Sequence, residues 1–213
     1  MFVEYPPKLY RALFRGAYWR LKPDEKAVYL TFDDGPVPEV TPWVLDLLDL
    51  YGIKATFFCV GDNVCKYPEI YETIKERGHG VGNHTFHHLQ GLKVRKETYL
   101  KDVELAAQII DSSLFRPPHG HIRLTQFYAL RNKYKIILWD VVTRDYSRIK
   151  TAGDVLENVK KHTRNGSIIL FHDSIKSGER MKQSLPRSIE WLKEQGYEFR
   201  LITDGLASNG TPS

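Results

Sequence analysis

Seven short apolar runs recur along this chain, and helical patterns fill most of the intervals between them. The runs lie at 27–32, 55–60, 79–82, 114–116, 135–141, 167–171 and 198–202, and the helical patterns at 41–51, 68–77, 96–112, 154–163 and 181–195. Thr41-Pro42 offers an N-cap and a first-turn proline, while Gly78 and Gly196 offer helix stops. Strands that alternate with helices are joined by crossovers, and crossovers make neighbouring strands parallel. The expectation is a single-domain α/β fold, a parallel sheet or barrel. A chain of 213 residues, 42% of them hydrophobic, can fill one such core.

The first run ends in charge. Tyr29-Leu30-Thr31-Phe32 leads into Asp33-Asp34-Gly35-Pro36. Two adjacent carboxylates at a buried strand end resist joint ionisation, so a positive partner is expected, and a metal ion is the simplest one. Taken alone, the dipeptide also suits an ordinary Asp-Asp-Gly turn. The segment Asn83-His84-Thr85-Phe86-His87-His88 strengthens the metal reading. His84 and His88 stand at i and i+4, which on a helical turn places both rings on one face. His87 competes for either histidine position. With Asp34 they make a three-ligand set that leaves positions open, as catalytic rather than structural sites do. Zn2+ suits these donors, and Co2+, Mn2+ and Ni2+ are also compatible. Cys59 and Cys65 form no C-x-x-C pair and are not expected to compete for the ion. The run at 167–171 delivers His172-Asp173 at its end. His172 is either a general acid, since imidazole titrates near neutrality, or part of a polar cap on the next helix.

Four ordered motifs now carry a resemblance. Thr31-Phe32-Asp33-Asp34-Gly35, the H-T-x-x-H of His84 to His88, the R-x-P-x-G of Arg116 to Gly120 and the L-x-H-D of Leu170 to Asp173 resemble those of polysaccharide deacetylases. This is carbohydrate esterase family 4, the NodB-homology domain, and its fold is a distorted (β/α)7-type barrel. The resemblance implies Asp33 as catalytic base, and Asp34, His84 and His88 as metal ligands. It implies Arg116 as the residue that orients the base, and His172 as general acid tuned by Asp145. Leu170 would pack on the acetyl methyl, and the backbone N–H at His119 would be an oxyanion donor. Two positions depart from the pattern. His119 stands where the family usually has Tyr. The usual D-x-x-D-W reads Val142-Thr143-Arg144-Asp145-Tyr146, with Val for the first Asp and Tyr146 for the Trp. Asp145 is retained, so the groove wall is altered more than the chemistry.

The implied reaction is metal-dependent removal of acetyl groups from an acetylated sugar. N-acetylglucosamine-type amides of an oligosaccharide, polysaccharide or peptidoglycan are the main candidates. O-acetyl esters of the xylan kind need the same metal, base and acid. A carbohydrate-binding protein with impaired catalysis, or an amidase acting on other compounds, are the competing readings.

Composition bounds the partners. The net charge is +5, and the basic groups at Lys93, Arg95 and Lys96 and at Lys160, Lys161 and Arg164 suit solvated helix faces rather than a nucleic-acid surface. The domain is expected over 24–205, with a flexible tail at 206–213. Residues 1–23 are aromatic and basic, and read as an amphipathic segment packing on the barrel or touching an anionic membrane face. No apolar run reaches the ~20 residues of a membrane span, and no signal sequence is visible, which suggests a cytoplasmic protein.

Overall fold

The computed structural model describes residues 8–206. Most of the tail expected at 206–213, and the first seven residues, lie outside the described residues. The chain opens with α1 (Lys8–Leu13) and enters the core as β1 (Ala27–Asp33). There follow α2 (Thr41–Leu50), β2 (Thr56–Cys59), α3 (Gly61–Lys66), α4 (Pro68–Glu76) and β3 (Gly80–Asn83). Next come α5 (Lys96–Ala107), β4 (Leu114–Phe115), α6 (Leu124–Leu130), β5 (Lys135–Ile136) and β6 (Val141–Val142). The remainder is α7 (Ala152–His162), β7 (Ile168–His172), α8 (Gly178–Glu194), β8 (Glu198–Phe199) and α9 (Ile202–Leu206).

The strands pair in the order β5-β4-β3-β2-β1-β7-β6, all parallel, with β8 beside the start of β1. This is the distorted (β/α)7 barrel. All seven residues of β1 are buried, as a strand covered on both faces must be. Phe32 and Phe57 stack at 5.0 Å, centroid to centroid, under helices α2 and α8.

Two expectations are corrected. The run 135–141 is not one strand. It divides into β5 and β6, which lie at opposite ends of the sheet. The division has a physical cause in Asp140. Its fully buried carboxylate accepts hydrogen bonds from Arg11 (2.6 Å), Arg164 (2.9 Å) and Ser167 (2.9 Å), and those partners draw the chain away from β4. Thr41 is the first residue of α2 rather than its cap. Its hydroxyl accepts from Val37 N–H and donates to Asp173. Beyond α1 the N-terminal segment turns at 14–16 and then runs as an extended stretch, with single bridges from Tyr18 to Ile137 and from Arg20 to Ser167.

That extended stretch fills the seam that β5 and β6 leave open. Tyr18 N–H donates to Ile136 O, Leu138 N–H to Tyr18 O, and Leu21 N–H to Gly166 O, at 2.7–2.9 Å. Phe14, Ala17, Trp19 and Leu21 are buried as a result. Gly166 is required at the crossing. Its φ is +77°, and an added Cβ would lie 1.8 Å from the Leu21 carbonyl oxygen.

Gly52 supplies a control, because its φ is +64° but nothing lies within 4 Å of an added Cβ. Gly52→Ala is expected to cost about 1 kcal/mol for left-handed strain. Gly166→Ala is expected to cost clearly more, with about 1–3 kcal/mol added by the backbone collision. Equal midpoints in urea unfolding would contradict the seam contact.

Candidate active site

The C-terminal ends of β1, β3 and β7 bring the ionisable residues together. Asp33 pairs in register with His172 on the neighbouring strand. Strand order places β1 between the histidine loop after β3 and the His172 end of β7. Above them is a cavity of about 350 Å³, whose wall includes Asp33, Asp34, His84, His88, Leu170 and His172.

Asp33 is buried and held from below. Arg116, which has no exposed surface, donates to Asp33 Oδ1 at 2.7 Å and to Thr31 Oγ1 at 2.8 Å. Its other nitrogens donate to the Ile137 and Leu138 carbonyls at 3.1 and 3.2 Å. The guanidinium carbon lies 4.0 Å from the centre of the Phe58 ring. Burial pushes the Arg116 pKa down and Asp33 pushes it back up. Guanidinium stays charged under either influence.

Asp34 follows in the left-handed region, with φ +86°. The turn after it needs Gly35, because an added Cβ would fall 2.0 Å from Asp173 Oδ2. Asp173 is buried and ties this turn down. It accepts from Gly35 N–H at 3.1 Å and from the Thr41 hydroxyl at 2.7 Å. Burial raises its pKa to about 8, so it has the character of a structural acid.

His84 and His88 share a face, though not on a helix. They lie on the loop after β3, and Thr85 and His88 both have positive φ, +63° and +54°. The i, i+4 spacing is therefore matched by a different geometry from the expected helical turn. Asn83 and Asp102 shape this loop. Asn83 Oδ1 accepts from Thr85 N–H at 2.8 Å, and Asp102 Oδ2 accepts from Phe86 and His87 N–H at 3.0 Å each. Asp102 also pairs with His87 Nδ1 at 2.5 Å. His87 is thus turned outward and is no rival for a ligand position.

The tautomer of His84 follows from its neighbour. Its Nδ1 lies 2.8 Å from the Arg116 carbonyl oxygen, which can only accept, so Nδ1 carries the proton. Nε2 then presents a lone pair, 3.7 and 3.8 Å from Asp33 and Asp34 oxygens, beyond hydrogen-bond reach. Burial lowers the His84 pKa to about 4, so the ring is neutral. His88 Nε2 lies 3.1 Å from Asp34 Oδ1. Burial would raise the pKa of Asp34, but the His88 hydrogen bond and the surrounding imidazoles take it well below the usual range. Ligand atoms of Asp34, His84 and His88 all lie within 4.8 Å of one another. Two imidazoles and a carboxylate, one imidazole fixed by an outer partner, fit a divalent cation.

On the other side of β1, His172 Nδ1–H donates to Asp145 Oδ1 at 2.8 Å, and its backbone N–H donates to Asp145 Oδ2 at 2.7 Å. Burial opposes charging of this ring, but the fully buried Asp145 outweighs it, and the pKa rises to about 9. The Tyr146 ring meets His172 edge-on at 4.9 Å. Leu170, Val142 and Tyr146 line the cavity. His119 sits in the left-handed region (φ +59°), and its ring packs 4.8 Å from His88. Its backbone N–H has no acceptor among the described residues.

The family model described as polysaccharide deacetylase matches residues 20–135. This chain belongs to the polysaccharide deacetylase family. A peptidoglycan-N-acetylglucosamine deacetylase of Bacillus cereus is 32% identical over 196 residues, which is 88% of this chain and 92% of that protein. The crystal structure of a peptidoglycan N-acetylglucosamine deacetylase in complex with 4-naphthalen-1-yl-N-oxidanyl-benzamide superimposes with a TM-score of 0.87 at 28% identity, covering 98% of this chain and 100% of that one. A family-4 pseudoenzyme from Bacillus anthracis is also similar, with a TM-score of 0.75 at 27% identity, covering 88% and 68%. Polysaccharide deacetylases are metal-dependent, and the Asp34, His84 and His88 cluster is the matching candidate site here. Among the described residues no helix is long and apolar enough to cross a membrane.

Sequence reasoning assigns Asp173 only a place in a polar cap beside His172, and assigns no role to Asp102 and Asn83. The first stands inside the L-x-H-D run and the third immediately precedes His84, so proximity to named motifs was the available signal. Nothing in the sequence marks Asp102, which reaches its loop from α5.

The raised pKa of His172 has a stability consequence. The contribution is fully present below the ordinary histidine value near 6.5 and is lost as pH rises through about 9. Asp145→Asn removes its main source. Thermal unfolding of metal-free protein should show a wider gap between wild type and this variant at pH 6 than at pH 10. A gap that does not narrow would mean that Asp145 acts only through its neutral hydrogen bonds.

Proposed function

We propose that this deacetylase cleaves the acetamide of N-acetylglucosamine-type units in a peptidoglycan-like glycan. One observation carries the reading. A three-ligand cluster, a carboxylate held by a buried arginine, and an imidazole paired with a buried carboxylate all face one 350 Å³ cavity. The names of the relatives support an amide of an N-acetylated glycan as substrate.

Asp34, His84 and His88 would hold the divalent metal, zinc by preference, with cobalt, manganese or nickel compatible with the same donors. When bound, such an ion supplies a Lewis acid and makes water more acidic at neutral pH. The other roles belong to the chain. Asp33 accepts a proton from the attacking water, and Arg116 holds that carboxylate in place. The free oxygen of Asp33 is the one turned toward His84, 3.7 Å from Nε2, so base and ligand face the same point. His172, charged at neutral pH by Asp145, gives its Nε2 proton to the departing amine. The unengaged His119 N–H donates to the carbonyl oxygen as charge develops there, a contribution typically on the order of 10²–10³ in turnover. Leu170 takes the acetyl methyl, and Tyr146 braces His172. An acetyl ester would use the same groups.

The test is acetate release from chitooligosaccharides and from acetylated xylan, with metal-stripped protein before and after zinc or cobalt is restored. Restored release from the chitooligosaccharide is the expected result, and preference for xylan would reassign the bond to an ester. A tightly held metal with no release from any acetylated glycan would indicate a binding protein. Two variants separate the aspartates. Asp34→Asn should lose metal by elemental analysis, whereas Asp33→Asn should keep it and lose on the order of 10²–10⁴ in kcat. Normal turnover in Asp33→Asn would remove Asp33 from the role of base.

A further inference from the structure

The cavity wall contains one lysine and no arginine, and that lysine is Lys176. Both carboxylates on the wall are engaged, Asp33 by Arg116 at 2.7 Å and Asp34 by His88 at 3.1 Å. The Lys176 ammonium group has no such partner among the described residues, and it lies over an aromatic face. Its Nζ lies 5.6 Å from the centre of the Tyr146 ring, the ring that meets His172 at 4.9 Å. A cation over an aromatic face is attracted by the ring quadrupole and loses some of its freedom.

The backbone at this position is also fixed. Arg180 donates through Nε to the Asp145 carbonyl at 2.7 Å and through a terminal nitrogen to the Lys176 carbonyl at 3.2 Å. The loop carrying Lys176 is thereby fastened to the loop carrying Asp145 and Tyr146. A single aromatic ring separates the ammonium group from His172. An anion held there lies on the sugar whose acetamide is being cleaved, or on its immediate neighbour.

We propose that Lys176 forms an anion subsite of the cavity, and that it selects N-acetylated glycans bearing a carboxylate beside the reacting sugar. The proposal rests on the deacetylase reading and narrows its substrate class. The carboxylate has two chemical sources, the lactyl ether of a muramic acid residue or a uronic acid residue. In both, the recognising interaction is an ammonium–carboxylate hydrogen bond, which is stronger than its neutral counterpart. Lys176 is a specificity residue in this scheme and takes no part in proton transfer.

The test compares four substrates on the zinc-restored enzyme. They are an N-acetylglucosamine–N-acetylmuramic acid oligosaccharide with free lactyl carboxylates, the same oligosaccharide with those groups converted to amides, an alternating N-acetylglucosamine–glucuronate oligosaccharide, and a chitooligosaccharide. Wild type should favour a carboxylate-bearing substrate over the amidated one by at least about fivefold in kcat/KM. Lys176→Gln should reduce that ratio toward one, Lys176→Arg should retain most of it, and 0.5 M salt should compress it in wild type. Preference for the muramic or the glucuronate oligosaccharide identifies the source of the anion. A ratio near one in wild type, or a ratio unchanged in Lys176→Gln, overturns the subsite while leaving deacetylation intact. Absence of release from all four glycans overturns the deacetylase reading instead. In that case, calorimetric binding of the free and amidated oligosaccharides to wild type and Lys176→Gln decides the subsite by the same ratio.

Discussion

Arg116 carries a full positive charge in the centre of the barrel with no exposed surface. Moving such a group out of water costs several kcal/mol, and an attraction to one carboxylate rarely offsets that alone. Here the guanidinium is satisfied on every side, by Asp33, the Thr31 hydroxyl and the carbonyls of residues 137 and 138. Those carbonyls belong to the segment that leaves β5, so the charge that fixes Asp33 also fixes where the sheet stops on that side. The Arg116 carbonyl in turn sets the tautomer of His84. One residue therefore fixes the position of the candidate base and the tautomer of a candidate metal ligand. The chemistry and the architecture cannot be varied separately around it.

The arrangement divides labour between neighbouring residues by environment. Asp33 and Asp34 are adjacent in sequence, yet one looks down to a buried arginine and the other up to two imidazoles. Left-handed backbone at Asp34 makes that divergence feasible, and the Gly35–Asp173 contact holds it. His84 and His172 diverge in the same way. His84 faces a carbonyl through Nδ1 and stays neutral, whereas His172 faces a carboxylate and stays charged. A ligand needs the first state, and a proton donor needs the second.

Much of this was legible in the sequence. The strand–helix alternation follows from burial on both faces of β1, β2 and β7, and the motif residues converge because parallel strands all end on one face of the barrel. What the sequence hid was set by contacts between distant residues. Asp140 looks like one polar residue in an apolar run, and only Arg11 and Arg164 make it the point where the run divides. The histidine loop has helical spacing but lacks helical backbone, because Asn83 and Asp102 supply hydrogen bonds that compete with a helix. The outward turn of His87 depends on the same Asp102. Local periodicity carries no information about such partners.

Trp19, which stands in the cavity wall, belongs to the stretch that closes the seam of the barrel. That stretch is made early in synthesis, but its partners at 136–138 and at Gly166 emerge more than a hundred residues later. Contacts so distant in sequence form slowly, since chain entropy must be lost before they are rewarded. The pairing of Asp33 with His172 also joins residues more than a hundred positions apart, so it belongs with the seam contacts among the late ones. The reacting groups and the wall that encloses them thus both wait for the last part of the barrel, so neither can be completed without the other's distant partners.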